Sequence, residues 1–194
     1  MDSNTHSTQG PTRPTDDLAA LTAALGRLAS RDLDRLPDAA LTNQTLQLQQ
    51  LTNCLDGVVL RHLAAVDARG AAGAEQDRQF GSTAGWLRVR LRMASGTAAT
   101  AVRTARALFR GPLPATAEAL CAGEISAAHA EVLAASTLHL PNQVIKDAEP
   151  TLLDPARRLD PPGLRRLVAH LQDTIDPTVP TNRPNDGMNG GGCG

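Results

Sequence analysis

The sequence predicts an all-α fold: a multi-helix domain of about seven to eight helices, including a helix-turn-helix-like pair, with disordered termini. Three observations carry that expectation. Leu, Ala and Val dominate the apolar residues, while aromatics make up 2% of the chain (Phe80, Trp86 and Phe109, with no tyrosine). Strands favour the β-branched and aromatic residues that rarely occur in runs here. Apolar positions recur at helical spacing through most of the chain, and Pro, Gly and small polar residues fall where those periodic segments stop.

With 194 residues, 41% of them hydrophobic, the chain fits one ordinary domain with flexible ends. Residues 1–14 are poor in apolar side chains and read as a disordered tail; residues 15–176 form the helical domain; residues 177–194 are rich in Pro, Asn and Gly and read as a second disordered tail. The first helix has Thr15 as its expected N-cap, Asp16 and Asp17 in its first turn, and Leu18, Leu21, Leu25 and Leu28 on one stripe. Pro37 and Asp38 open a helix of roughly thirty residues in which Leu41, Leu48 and Leu55 repeat every seven, until Gly70 ends it. Such length suits either a scaffold helix or a self-associating one, so self-association through helix 38–69 is one expectation.

Residues 71–81 read as a loop. Ser82 caps a short helix to about Leu91, with Trp86, Leu87 and Leu91 toward the core. A turn at Ser95-Gly96-Thr97 starts a second helix, which Gly111-Pro112 stops. Helices from Pro114 to Ala122 and from Ser126 to Ser136 follow. The segment 141–159 is helical but interrupted by Pro150 and Pro155, where a break or kink is expected. Asp160 as N-cap and Pro161 at the first helical position begin the last helix.

Charge divides the chain unevenly. Residues 78–117 carry seven Arg and no acid, whereas the segments on either side each carry six basic and ten acidic side chains. On a 3.6-residue helix Arg103, Arg106 and Arg110 fall within about 60° of one another, and the apolar stripe of Ala98, Val102, Ala105 and Phe109 lies about 100° away. Arg88 and Arg92, placed on the preceding helix, are i, i+4 neighbours. Two short helices joined by a tight turn, the second of them basic, outline a helix-turn-helix, and guanidinium groups suit phosphates and guanine edges. DNA is therefore the partner this segment points to, with Arg88, Arg92, Arg103, Arg106 and Arg110 as the contact residues. Ion pairs with the flanking acids and a purely solubilising face are the competing readings. A net charge of −1 argues against wholesale coating of nucleic acid.

No phosphate loop, nucleophile elbow or metal-binding helix motif occurs. His62, His129, His139 and His170 are isolated from one another; His129 reads as a capping or packing residue. Glu118, Glu124 and Glu131 carry no mark of an acid/base pair. Cys54, Cys121 and Cys193 are too far apart for a zinc knuckle and read as two core thiols and one in a tail. The expectation is a non-catalytic protein with no cofactor and no metal. The start has neither the basic nor the apolar region of a signal peptide, and no stretch approaches a membrane span, so the chain reads as cytoplasmic and without membrane contact.

Residues 82–136 contain Ser-Thr-Ala-Gly-Trp-Leu, then Ala-Val-Arg-Thr-Ala-Arg-Ala-Leu, then Leu-Pro-Ala-Thr-Ala-Glu-Ala-Leu-Cys-Ala-Gly-Glu-Ile-Ser-Ala-Ala-His-Ala-Glu-Val-Leu, with Arg157-Arg158-Leu-Asp-Pro-Pro-Gly-Leu-Arg-Arg-Leu-Val downstream. This pattern resembles the actinobacterial 13E12 repeat family over roughly residues 35–177. That domain, of unknown function, is usually found ahead of an HNH endonuclease domain. The resemblance implies a DNA-binding helical module, and the Cys/His-rich nuclease segment that would follow it is absent from this chain, so no nuclease activity carries over. The alternative reading is a helical interaction or dimerisation domain without nucleic-acid contact. The order of a helix-turn-helix followed by Gly-x-Ile-Ser-x-x-His-Ala is also similar to the DNA-binding middle of ParB-type partition proteins, by analogy between short helices.

Overall fold

The structure, a computed structural model, describes residues 14–74, 80–138 and 140–175. Among these residues helices are the only regular elements, nine in all: α1 (Pro14–Ala29), α2 (Asp38–Ala68), α3 (Ala71–Ala74), α4 (Thr83–Arg90), α5 (Ser95–Phe109), α6 (Pro114–Cys121), α7 (Ala127–Ser136), α8 (Asn142–Ala156) and α9 (Pro161–Ile175). The all-α expectation holds. Both expected tails lie outside the described residues, apart from Pro14.

Local chemistry accounts for most boundaries. α1 starts at Pro14, so Thr15 sits inside the first turn and is not its cap; proline at the first helical position gives up an N–H that would be unbonded there anyway. α2 ends two residues before Gly70, which adopts φ +61°. The Ser82 side chain accepts from the Gly85 N–H at 3.1 Å and caps α4. Asp160 does the same for α9 through the Gly163 N–H at 2.8 Å.

Three expectations are corrected. Residues 71–74 are helical rather than loop: three of the four are Ala, the best helix former, and Ala72 is buried. The Ser95-Gly96-Thr97 sequence is the first turn of α5 itself. α8 runs unbroken through Pro150 and Pro155. Its buried face of Ile145, Glu149, Leu153 and Ala156 supplies the tertiary contacts that outweigh the missing backbone hydrogen bonds. Glu149 is central to this. Its Oε1 accepts from the Thr116 N–H at 2.7 Å and from the Thr116 hydroxyl at 2.8 Å, so an acid from α8 caps the first turn of α6.

The chain divides into two compact units, Met1–Leu46 and Gln47–Gly194. In the first unit none of residues 15–46 is buried, and Leu18, Leu21, Leu25, Leu33, Leu41 and Leu46 are all exposed. The amphipathic stripe of α1 is therefore real but uncovered by any described residue of the unit.

The second unit holds the core. α5 packs against α4, α6 and α7; α7 packs on α9; α6 and α9 meet α8. Ala98, Ala105, Leu108, Leu113, Leu120, Ile125, Leu133 and Leu164 are all at most 2% exposed. Each buried Leu or Ile stabilises the fold by about 1.5–3 kcal/mol. The C-terminal part of α2 joins this core through Leu60, Leu63 and Ala64. Gly57 permits that approach: a Cβ there would lie 2.9 Å from Cys121 Sγ and 3.2 Å from its Cα. Asn53 Nδ2 donates to the carbonyl of Gly123, itself at φ +78°. Cys54 is half-buried, but Cys121 is exposed rather than the core thiol expected, and Cys193 lies outside the described residues.

Candidate nucleic-acid interface

α5 is amphipathic in the sense its sequence implied. Ala98, Val102, Thr104, Ala105 and Leu108 are buried, and Phe109 packs at the edge of the core. The opposite strip carries Ser95, Gly96, Ala99, Arg106 and Arg110, all exposed, with Arg103 half-buried beside them. α5 packs directly on α4, and residues 91–94 join the two helices.

The five candidate arginines do not form one cluster. Arg106 Nε and Nη2 donate to the two carboxylate oxygens of Asp67 on α2, at 2.6 and 2.9 Å. That bidentate pair neutralises the middle of the α5 row, and the Arg106 hydrogen bond holds the Asp67 carboxyl below the usual carboxylate range. Arg110 shares a shallow cleft of about 200 Å³ with Arg61, Ala64 and Ala65 of α2. Arg103 donates from Nη2 to Thr100 Oγ1 at 3.1 Å, while its Nε is shielded from solvent and has no hydrogen-bond partner.

Arg88 and Arg92 line a second cleft, of about 390 Å³, with Phe80, Val89 and Met93. Arg92 is not on the helix, since α4 ends at Arg90. It sits in the connecting turn at φ 54°, a left-handed conformation that costs a non-glycine residue about 1 kcal/mol or more. The turn also carries Leu91 outward, to 58% exposure, whereas Leu87 is buried and Trp86 packs against the core. The expectation that Leu91 faces the core is thus corrected: the helix closes one residue too early to aim it inward. Arg90 lies 5.8 Å from the centre of the Phe80 ring, in cation–π range.

Two arginines missing from the sequence-based set, Arg61 and Arg165, line clefts with members of it. They lie far outside the acid-free window, and no local signal marks them. Only the packing of α2 and α9 against α5 and its neighbours brings them there.

The remaining candidates have structural roles. His129 Nδ1 lies 3.2 Å from the Ser126 backbone N and 2.7 Å from Ser126 Oγ, and His129 Nε2 lies 2.8 Å from the Leu159 carbonyl. The Ser126 N–H can only donate, so Nδ1 is the acceptor and Nε2 carries the proton to Leu159. His129 thus closes a capping box on α7 and ties α7 to the segment entering α9. His62 lies within 2.8 Å of the Val58 carbonyl on its own helix. His139 lies outside the described residues. Glu124 pairs with Arg157 at 2.8 Å. Among the described residues there is no group of three or more His, Cys, Asp and Glu side chains placed to hold a metal ion. No helix there is long and apolar enough to cross a membrane.

The architecture therefore defines a helical domain whose polar surface features are arginine-lined clefts. Residues 38–186 match the family described as Domain of unknown function (DUF222), and the chain belongs to that family. No curated protein and no solved structure matches it.

Proposed function

We propose that this domain is a DNA-binding module that meets duplex phosphates with the exposed strip of α5 and the α4–α5 turn, and that it has no catalytic centre of its own. One observation carries the reading. A 40-residue segment with seven arginines and no acid contains α5, which turns Ala98, Val102, Ala105 and Leu108 into the core and carries Arg103, Arg106 and Arg110 on the other side, Arg106 and Arg110 exposed and Arg103 half-buried. Phosphate contacts from several arginines supply most of the affinity of such modules. The strained backbone of Arg92 adds support, because a cost of that kind is retained where a side chain has to be presented. The resemblance of residues 82–136 to the 13E12 repeat family, whose domain is usually found ahead of an HNH endonuclease domain, supports the same reading.

The test is fluorescence anisotropy on a labelled duplex at about 50 and 200 mM salt. Affinity should fall linearly on logarithmic axes, and replacing Arg103, Arg106 and Arg110 together by Ala should abolish it. Binding that survives the triple replacement overturns the reading. Asp67→Asn, which releases Arg106, should tighten binding several-fold.

A second reading rests on a separate observation. Within the second unit Leu48, Leu51, Leu55, Val58 and Val59 of α2 are 41–61% exposed. Apolar side chains contiguous along one helix mark an interaction surface, and a second copy of the chain pairing α2 with α2 would cover them. Light scattering should show a dimer that Leu51→Glu converts to monomer; a monomeric parent protein removes this reading.

A further inference from the structure

The cleft between α5, α7 and α9 has a charge pattern that the α5 strip lacks. It measures about 390 Å³ and is lined by Arg103 and Thr100 from α5, Glu131 and Ser136 from α7, and Arg165 and Val168 from α9. Arg106 next door is neutralised by Asp67, and Arg157 by Glu124 and Asp154. Among the described residues Arg103 has no acid within ion-pair distance; its one hydrogen bond there is to a neutral hydroxyl, and its Nε has no partner. Arg165 is exposed and makes no ion pair among the described residues, and Glu131 pairs with neither arginine. Two guanidinium groups and one carboxylate leave the cleft with a net charge of +1. The valines and alanines that complete its wall offer nothing to balance that charge.

We infer that this cleft is a phosphodiester subsite, in which Arg103 and Arg165 hold one backbone phosphate of a nucleic-acid strand while Glu131 sets the charge. A phosphodiester carries −1, which matches the cleft; a phosphomonoester at neutral pH carries nearly −2 and meets Glu131 as a repelling neighbour. Guanidinium groups from two different helices approach the phosphate oxygens from two sides, which fixes the strand relative to the fold as well as binding it. This inference rests on the DNA reading but moves part of the interface. The strand crosses from the α5 strip toward α9 instead of following α4.

The experiment combines duplex binding with NMR titration of the full chain by dimethyl phosphate, a free phosphodiester, at constant ionic strength. Arg165→Gln should weaken duplex binding at least about five-fold and lower the salt slope by about one. Arg103→Gln should do the same, and the double variant should lose less than the sum, since both hold one phosphate. Dimethyl phosphate should shift resonances of Thr100, Glu131, Arg165 and their neighbours, and these shifts should vanish in Arg165→Gln, an exposed substitution that spares the core. Glu131→Gln should strengthen the response to inorganic phosphate more than the response to dimethyl phosphate. Duplex binding indifferent to Arg165→Gln overturns the subsite and leaves the DNA reading standing. Dimethyl phosphate shifts in the cleft without duplex binding overturn the DNA reading and keep the subsite. An absence of both overturns both.

Discussion

Asp67 has only 14% of its side chain exposed while Arg106, its bidentate partner, has 62%, so the pair straddles the edge of α2 and α5. The Arg106 hydrogen bond lowers the folded-state pKa of Asp67 below the unfolded one. The stability it contributes is therefore complete above the unfolded carboxylate value, about 3.9, and is lost as pH falls through the lower folded value. Because Arg106 is open to solvent, the contribution is at most about 1 kcal/mol. Urea unfolding of Asp67→Asn should show that loss at pH 7, with the variant and parent curves converging as the pH falls through the lowered folded-state value. A gap that persists in acid would contradict the assignment. Gly57 gives a second residue-scale test. Alanine normally favours a helix over glycine by about 0.5–1 kcal/mol, but at Gly57 its Cβ meets Cys121 Sγ and backbone within 3.2 Å. Gly57→Ala should destabilise by about 1–3 kcal/mol, whereas Gly26→Ala, with nothing within 4 Å, should raise helicity measured by circular dichroism.

The elements of this fold are held by side chains that reach between helices as much as by their own propensities. His129→Ala removes both the α7 capping box and the hydrogen bond to Leu159, and thermal unfolding should show a loss of about 1–2 kcal/mol. An unchanged melting temperature would mean that water takes over both roles. The starts of α4, α7 and α9 were legible because Ser82, Ser126 and Asp160 are local caps whose partners sit three residues on. The continuity of α8 was not, because Pro150 is a local breaker and its compensation comes from α6. The buried hydrogen bond that the Thr116 N–H donates to Glu149 spans 33 residues, and no window of sequence contains it. α3 was missed for the same reason, since the burial of Ala72 decides it.

On the scale of the whole molecule, burial is concentrated in the second unit. No described residue from 15 to 46 is buried, while α5 has five buried positions. Native-state hydrogen exchange should therefore find α1 and the first turns of α2 exchanging orders of magnitude faster than α5 and α7. Equal protection in α1 would show that its leucines are covered in solution, and would favour the self-associated form. The all-helical class, the order of the helices other than α3 and the placing of Arg103, Arg106 and Arg110 on one strip of α5 were determined by the sequence alone, because periodicity, caps and charge runs act within a few turns of one chain. Which of those arginines has its charge compensated by an acid was decided only in three dimensions. Asp67 neutralises Arg106 across 39 residues, and α9 brings Arg165 to the cleft that Arg103 lines. The electrostatic field at a site depends on distance through space, and distance along the chain does not report it.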